Sequence, residues 1–144
     1  MKATLHIPLT LADVARAVGH TSPTANAPIH TVVTDSREAE AGALFFALQG
    51  ERFDGNDFIE DALTRGAVAV STRLHNGALT VRDSRDALLS LAKAYRERLP
   101  FLKKTVAVTG SVGKTTTKEL LSSLLSAELH VHATRANYNN EIGL

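Results

Sequence analysis

The 144-residue chain has no cysteine and no tryptophan, and aromatic residues make up only 5% of it. Without cysteine there is neither a disulfide framework nor a thiolate metal site, and a reducing compartment suits the chain. An excess of one charge is missing as well: 16 basic residues against 15 acidic ones give a formal net charge of +1. No broad field therefore draws the protein to nucleic acid or to an anionic membrane, although a local basic site is still compatible with that balance. No apolar run approaches the ~20 residues of a membrane-spanning helix. The opening residues, Met1-Lys2-Ala3-Thr4-Leu5-His6-Ile7-Pro8, lack the apolar stretch of a secretory signal. A cytoplasmic monomer with no nucleic-acid partner and no membrane insertion is expected.

What is present is a globular composition, 44% hydrophobic, arranged in alternating strand and helix patterns. Thr10 can cap a helix running to Val18, with Leu11, Val14, Ala15 and Val18 on one stripe and Gly19 as the stop. Residues 21–28 read as a loop, and the β-branched run Ile29 to Thr34 as a strand that ends in Asp35-Ser36-Arg37. Leu44 to Leu48 is uniformly apolar, the pattern of a strand buried on both faces. After a loop from Gln49 to Asn56, Asp57 and Glu60 form a capping pair for a helix that buries Phe58, Ile59, Ala62 and Leu63 and ends at Gly66. Ala67 to Val70 and Ala78 to Val81 are further strands with an Asn76-Gly77 turn between them. A helix from Ser84 to Leu99 is apolar at Leu88, Leu91, Ala92 and Tyr95, and Pro100 stops it.

The pattern then starts again. Thr105 to Thr109 reads as a short buried strand, Lys114 to about Ala127 as a helix, and Leu129 to Ala133 as another strand. His130 and His132 alternate on that strand, but no carboxylate or cysteine spacing makes them a metal pair. The expected fold class is α/β. A small N-terminal α/β domain over 1–103 is followed, over 104–144, by the first strand, phosphate loop, helix and strand of a parallel-sheet domain that reads as cut short.

Between the expected strand and helix lies Thr109-Gly110-Ser111-Val112-Gly113-Lys114-Thr115-Thr116. Glycines let the backbone curl so that amide N–H groups converge on phosphate oxygens, and the helix N-terminus adds unpaired donors. Lys114 can reach the terminal phosphates and Thr115 can offer its hydroxyl to Mg²⁺. The common phosphate-loop pattern has another glycine five residues before Gly113, where this chain has Val108.

The loop and its continuation, Thr117-Lys118-Glu119, resemble the ATP loop of the Mur ligases, missing early glycine included. That family joins amino acids or dipeptides to the UDP-linked muramoyl precursor of peptidoglycan. Asn137-Tyr138-Asn139-Asn140-Glu141 resembles the asparagine-rich segment of the branch that adds D-alanyl-D-alanine to a UDP-N-acetylmuramoyl-tripeptide. Thr34-Asp35-Ser36-Arg37 and Gly42 to Gly55 resemble the family's UDP-recognition motif and the strand and loop after it. Asn56 stands where relatives commonly carry histidine, and Ala136 where they carry glycine.

The resemblance implies an amide-forming reaction through an acyl phosphate, with ATP and Mg²⁺. It assigns the nucleotide to Gly110, Ser111, Val112, Gly113, Lys114, Thr115, Thr116, Asn137 and Asn140. Lys114 is the catalytic group and Thr115 the metal ligand. Asp35, Ser36, Arg37 and Asn139 fall to the UDP-linked substrate. The family's later acidic, histidine and lysine groups and the D-alanyl-D-alanine site are not found before Leu144, so no turnover is expected of these residues alone. The sister ligase that adds the third residue, and a non-catalytic UDP-sugar-binding module, are the alternatives. Taken without the family, Asp35-Ser36-Arg37 reads as a turn with a solvated ion pair, and the asparagine cluster as a loop.

Overall fold

The computed structural model describes residues 1–20 and 27–134, which form two compact units, Met1–Leu99 and Pro100–Leu144. The first unit is built on a five-stranded mixed sheet: β1 (Lys2–Thr10), β2 (Pro28–Val33), β3 (Ala43–Phe46), β4 (Val68–Ser71) and β5 (Ala78–Thr80), in that spatial order. β1 pairs antiparallel with β2, and the other neighbours are parallel. The expected α/β class holds.

The central strand follows the sequence closely. Ala43, Leu44, Phe45 and Phe46 are all at most 1% exposed, because a parallel strand is covered on both faces. One face packs Phe45 and Ala69 with Val33, Ile59 and Ala62, the last two from α2 (Ile59–Thr64). Alternation turns Leu44, Phe46 and Val70 to the other face. There α1 (Leu11–Ala17) and α3 (Ser84–Glu97) pack against each other.

Thr10 caps α1 as expected, in a reciprocal pair: the Asp13 N–H donates to Thr10 Oγ1 at 3.2 Å and the Thr10 N–H to Asp13 Oδ2 at 2.9 Å. Residues 2–10 were not expected to form a strand. β1 lies at the sheet edge with a register irregularity between Thr4 and Leu9, and an edge is where Pro8 is tolerated.

Two local expectations need correction. Asp57 does not cap the second helix; a 3-10 turn at Gly55–Phe58 precedes α2, so the capping carboxylate is Asp54, which accepts the Asn56 N–H at 2.9 Å. That turn leaves Phe58 44% exposed instead of buried. The Asn76-Gly77 turn is present as expected, with Gly77 at φ 89°, and the strands on either side of it are parallel neighbours. On α3, Ala92 faces outward and Ala87 is buried, while Tyr95 is half-buried because its hydroxyl accepts the Ile7 N–H at 3.0 Å.

In the second unit, α4 (Lys114–Leu125) is the regular element among the described residues. Thr105 to Thr109 and Leu129 to Ala133 form no ladder there. β-propensity supplies the tendency, but a strand also needs a neighbour to take its N–H and C=O groups, and none of the described residues does so. Val106 is accordingly 64% exposed, and α4 buries none of its residues.

Candidate functional site

The glycine loop is shaped by two unusual backbone positions. Gly110 adopts φ 148° and Gly113 φ 81°, both in the region that side chains disfavour. Gly113 is the N-cap of α4 and, lacking a side chain, makes no cap hydrogen bond. The first intrahelical bond runs from the Thr117 N–H to the Gly113 carbonyl at 2.9 Å. The N–H groups of Lys114, Thr115 and Thr116 therefore precede the helical ladder, at the positive end of the helix dipole.

Ser111, Val112, Thr115 and Thr116 are exposed around them. The Lys114 ammonium folds back to donate to the Gly110 carbonyl, which keeps it over the loop. Open amides, an adjacent ammonium and an exposed Thr115 hydroxyl are a donor set that fits a phosphate group and a hard cation. Lys118, one turn along, donates to the Thr134 carbonyl at 2.6 Å. Asn137, Asn139 and Asn140 lie outside the described residues.

Asp35-Ser36-Arg37 follows β2. Asp35 caps a 3-10 turn at Ser36–Glu38 and accepts the Arg37 backbone N–H at 3.0 Å. The Arg37 guanidinium also pairs with it, Nη2 lying 2.6 Å from Oδ2. The side-chain and backbone bonds from Arg37 together hold the Asp35 carboxyl at about 2. Arg37 extends into solvent with its side chain 83% exposed. Ser36 is buried, and its side chain bonds Asp61, helping to hold that carboxyl below its ordinary value. The geometry is a turn with an ion pair whose cation remains accessible, and the loop motif and this motif belong to different units.

Residues 28–107 match the model of the Mur ligase family catalytic domain, and residues 108–144 match the Mur ligase middle domain. The chain belongs to the Mur ligase family. A UDP-N-acetylmuramoyl-tripeptide–D-alanyl-D-alanine ligase of Synechocystis is 48% identical over 81% of this chain and 27% of its own length. The enzyme of the same name from Bacillus subtilis is 42% identical over 81% of the chain and 26% of its own length. MurF of Acinetobacter baumannii superposes with a TM-score of 0.82 at 38% identity, covering 98% of this chain and 32% of that one. MurF of Thermotoga maritima, solved with ADP, gives 0.69 at 43% identity over 78% of this chain and 27% of that one. The chain thus spans about a third or less of these Mur ligases.

Two features escaped the sequence reading. Gly55 is required by close approach: a Cβ there would meet the backbone N and O of Leu48 at 2.7 Å. Ser84, read only as a helix start, lines a pocket at the ends of β3 and β4. The signal for Gly55 was its place in the family loop; nothing local pointed to the pocket.

Proposed function

We propose that this chain is the nucleotide-phosphate loop and UDP-substrate unit of a ligase that joins D-alanyl-D-alanine to a UDP-N-acetylmuramoyl-tripeptide. The observation carrying the reading is the uncapped start of α4, with Gly113 in the left-handed region and Lys114 held over the loop. Relatives named for that reaction support the branch over the sister ligase that adds the third residue.

In this reading ATP is a substrate. The amides of Lys114, Thr115 and Thr116 grip its phosphate oxygens, and Lys114 leaves the Gly110 carbonyl to neutralise charge on the moving γ-phosphoryl group. Thr115 is the protein hydroxyl available to Mg²⁺, which would screen the phosphates. The terminal carboxylate of the tripeptide takes the γ-phosphoryl group, because phosphate is a far better leaving group than oxide. The amine of D-alanyl-D-alanine then displaces phosphate. The family resemblance assigns Asn137 and Asn140 to the nucleotide and Asn139 to the UDP-linked substrate. Ser36 and Arg37, with Asp35 fixing the turn, hold the UDP end. The ligation step itself belongs to a protein of the relatives' full length, and these residues alone give no turnover.

Calorimetry tests this with a UDP-muramoyl-tripeptide and, separately, Mg-ATP. The expected pattern is loss of the first ligand in Ser36→Ala alone and of the second in Lys114→Ala alone. Binding of both ligands unaltered by either substitution contradicts it.

A further inference from the structure

Asn76 is the one asparagine of the chain that a glycine follows. The pair forms an exposed turn between β4 and β5, with Gly77 in the left-handed region at φ 89°. A Cβ at Gly77 would meet Leu63 methyl groups at 3.6–3.7 Å, an ordinary contact, so it is the backbone angle that demands glycine there. The fold thus requires the residue that leaves this peptide nitrogen unshielded. Among the described residues, neither the Asn76 side-chain amide nor the Gly77 N–H has a hydrogen-bond partner. Both are free to approach each other, and asparagine is one of the heat-labile residues of proteins.

His75 adds to this. Its Nδ1 lies 2.9 Å from the Asn76 backbone carbonyl oxygen, which can only accept, so the ring nitrogen donates. That oxygen belongs to the same peptide unit as the Gly77 N–H. A donor on the oxygen draws electrons toward it and makes the N–H easier to deprotonate. Asn56 shows the opposite arrangement. It is 9% exposed, and its Nδ2 donates to Asp54 Oδ1 and Thr72 Oγ1. The N–H after it, that of Asp57, is already bonded to the Asp54 carbonyl at 3.1 Å. At Asn56 both reacting groups are tied down; at Asn76 neither is.

We propose that Asn76-Gly77 is a self-modifying site, where Asn76 is converted to aspartate and isoaspartate with water as the co-reactant. A base removes the Gly77 N–H proton and the nitrogen bonds to Asn76 Cγ. The Cγ–Nδ2 bond breaks, and Nδ2 leaves as ammonia after taking up a proton. Water then opens the resulting succinimide ring. Opening at Cγ gives aspartate on a normal backbone; opening at the main-chain carbonyl carbon gives isoaspartate, whose backbone runs through Cγ. Nothing is oxidised or reduced, and the chemistry is independent of the ligase reading. The second product matters because of where it falls. Its extra backbone carbon lies inside the 3.2 Å bond from the Ala78 N–H to the His75 carbonyl, directly before β5. That strand is three residues long, at the sheet edge, and anchored by the buried Leu79.

The test holds the whole chain in warm alkaline buffer and follows residue 76 by peptide mass spectrometry and by labelling with an isoaspartyl methyltransferase. Wild type is expected to gain a single mass unit at residue 76 and to take methyl label there, with Asn56 unchanged. Asn76→Gln, which would have to close a larger ring, keeps its mass and takes no label at that position. His75→Ala reacts several-fold more slowly. The converted protein has a lower urea midpoint, whereas Asn76→Asp, with the new charge but not the extra carbon, unfolds close to wild type. Wild type that retains Asn76, or that loses the Asn56 amide at the same rate, overturns the proposal. A His75→Ala rate equal to that of wild type overturns the part given to His75.

Discussion

Ser71 Oγ, fully buried at the end of β4, lies 2.9 Å from Asn56 Oδ1 and ties the loop after β3 to the next strand. The hydroxyl's one proton serves either this oxygen or the Arg73 carbonyl at 2.8 Å, while its lone pairs accept the Arg73 N–H at 2.9 Å. Asn56 also fixes Asp54 and Thr72 through its amide. Asn56→Ala strands several of these groups at once. We expect about 2–3 kcal/mol of destabilisation, read as a lower urea midpoint with an unchanged slope. Asn56→Asp is expected to be worse, because it sets a second carboxylate against Asp54, whose oxygen lies 2.6 Å from the present amide nitrogen.

Gly55→Ala tests the same loop by volume. The added methyl meets backbone atoms of Ala47 and Leu48 at 2.7–2.9 Å, and backbone cannot rotate away as a side-chain tip can. The Gly55 N–H bond to the Leu48 carbonyl, 2.9 Å, should break as the loop shifts. The expected outcome is a loss of about 2 kcal/mol or more in chemical unfolding, with faster exchange of the Gly55 amide proton.

Asp13 links α1 to the end of α3, accepting from Arg98 at 2.9 Å as well as from Thr10. Burial pushes its carboxyl up, but the Thr10 bonds and Arg98 outweigh this and bring it from the ordinary 3.8 to about 2. Because the folded value is the lower one, its stabilisation is full above about pH 4 and fades as pH falls toward 2. The difference corresponds to about 2 kcal/mol. Asp13→Asn should lose roughly that much at neutral pH and show a flatter acid limb between pH 4 and 2 in thermal unfolding.

The elements that were legible are those whose signal is local. Thr10 as a cap and the run from Leu44 to Leu48 needed no knowledge of distant residues. β1 was missed: Leu5, Ile7 and Leu9 alternate, but Pro8 interrupts the pattern, and only the strand's edge position permits it. Thr105 to Thr109 failed in the opposite sense, because strand character in five residues says nothing about where a partner will come from. The candidate site divides along the same line. The phosphate loop is contiguous and announces itself by spacing, whereas the Ser84 pocket gathers residues 47–49, 72 and 83–85, which only the fold makes neighbours.

The most direct test of the phosphate-loop assignment is an ¹H–¹⁵N NMR titration of the chain with Mg-ATP. The account expects the largest shifts at the amides of Gly110, Gly113, Lys114, Thr115 and Thr116, and at least tenfold weaker binding in Lys114→Ala. Shifts confined to residues 1–99, or binding unchanged by loss of the Lys114 ammonium, would contradict it.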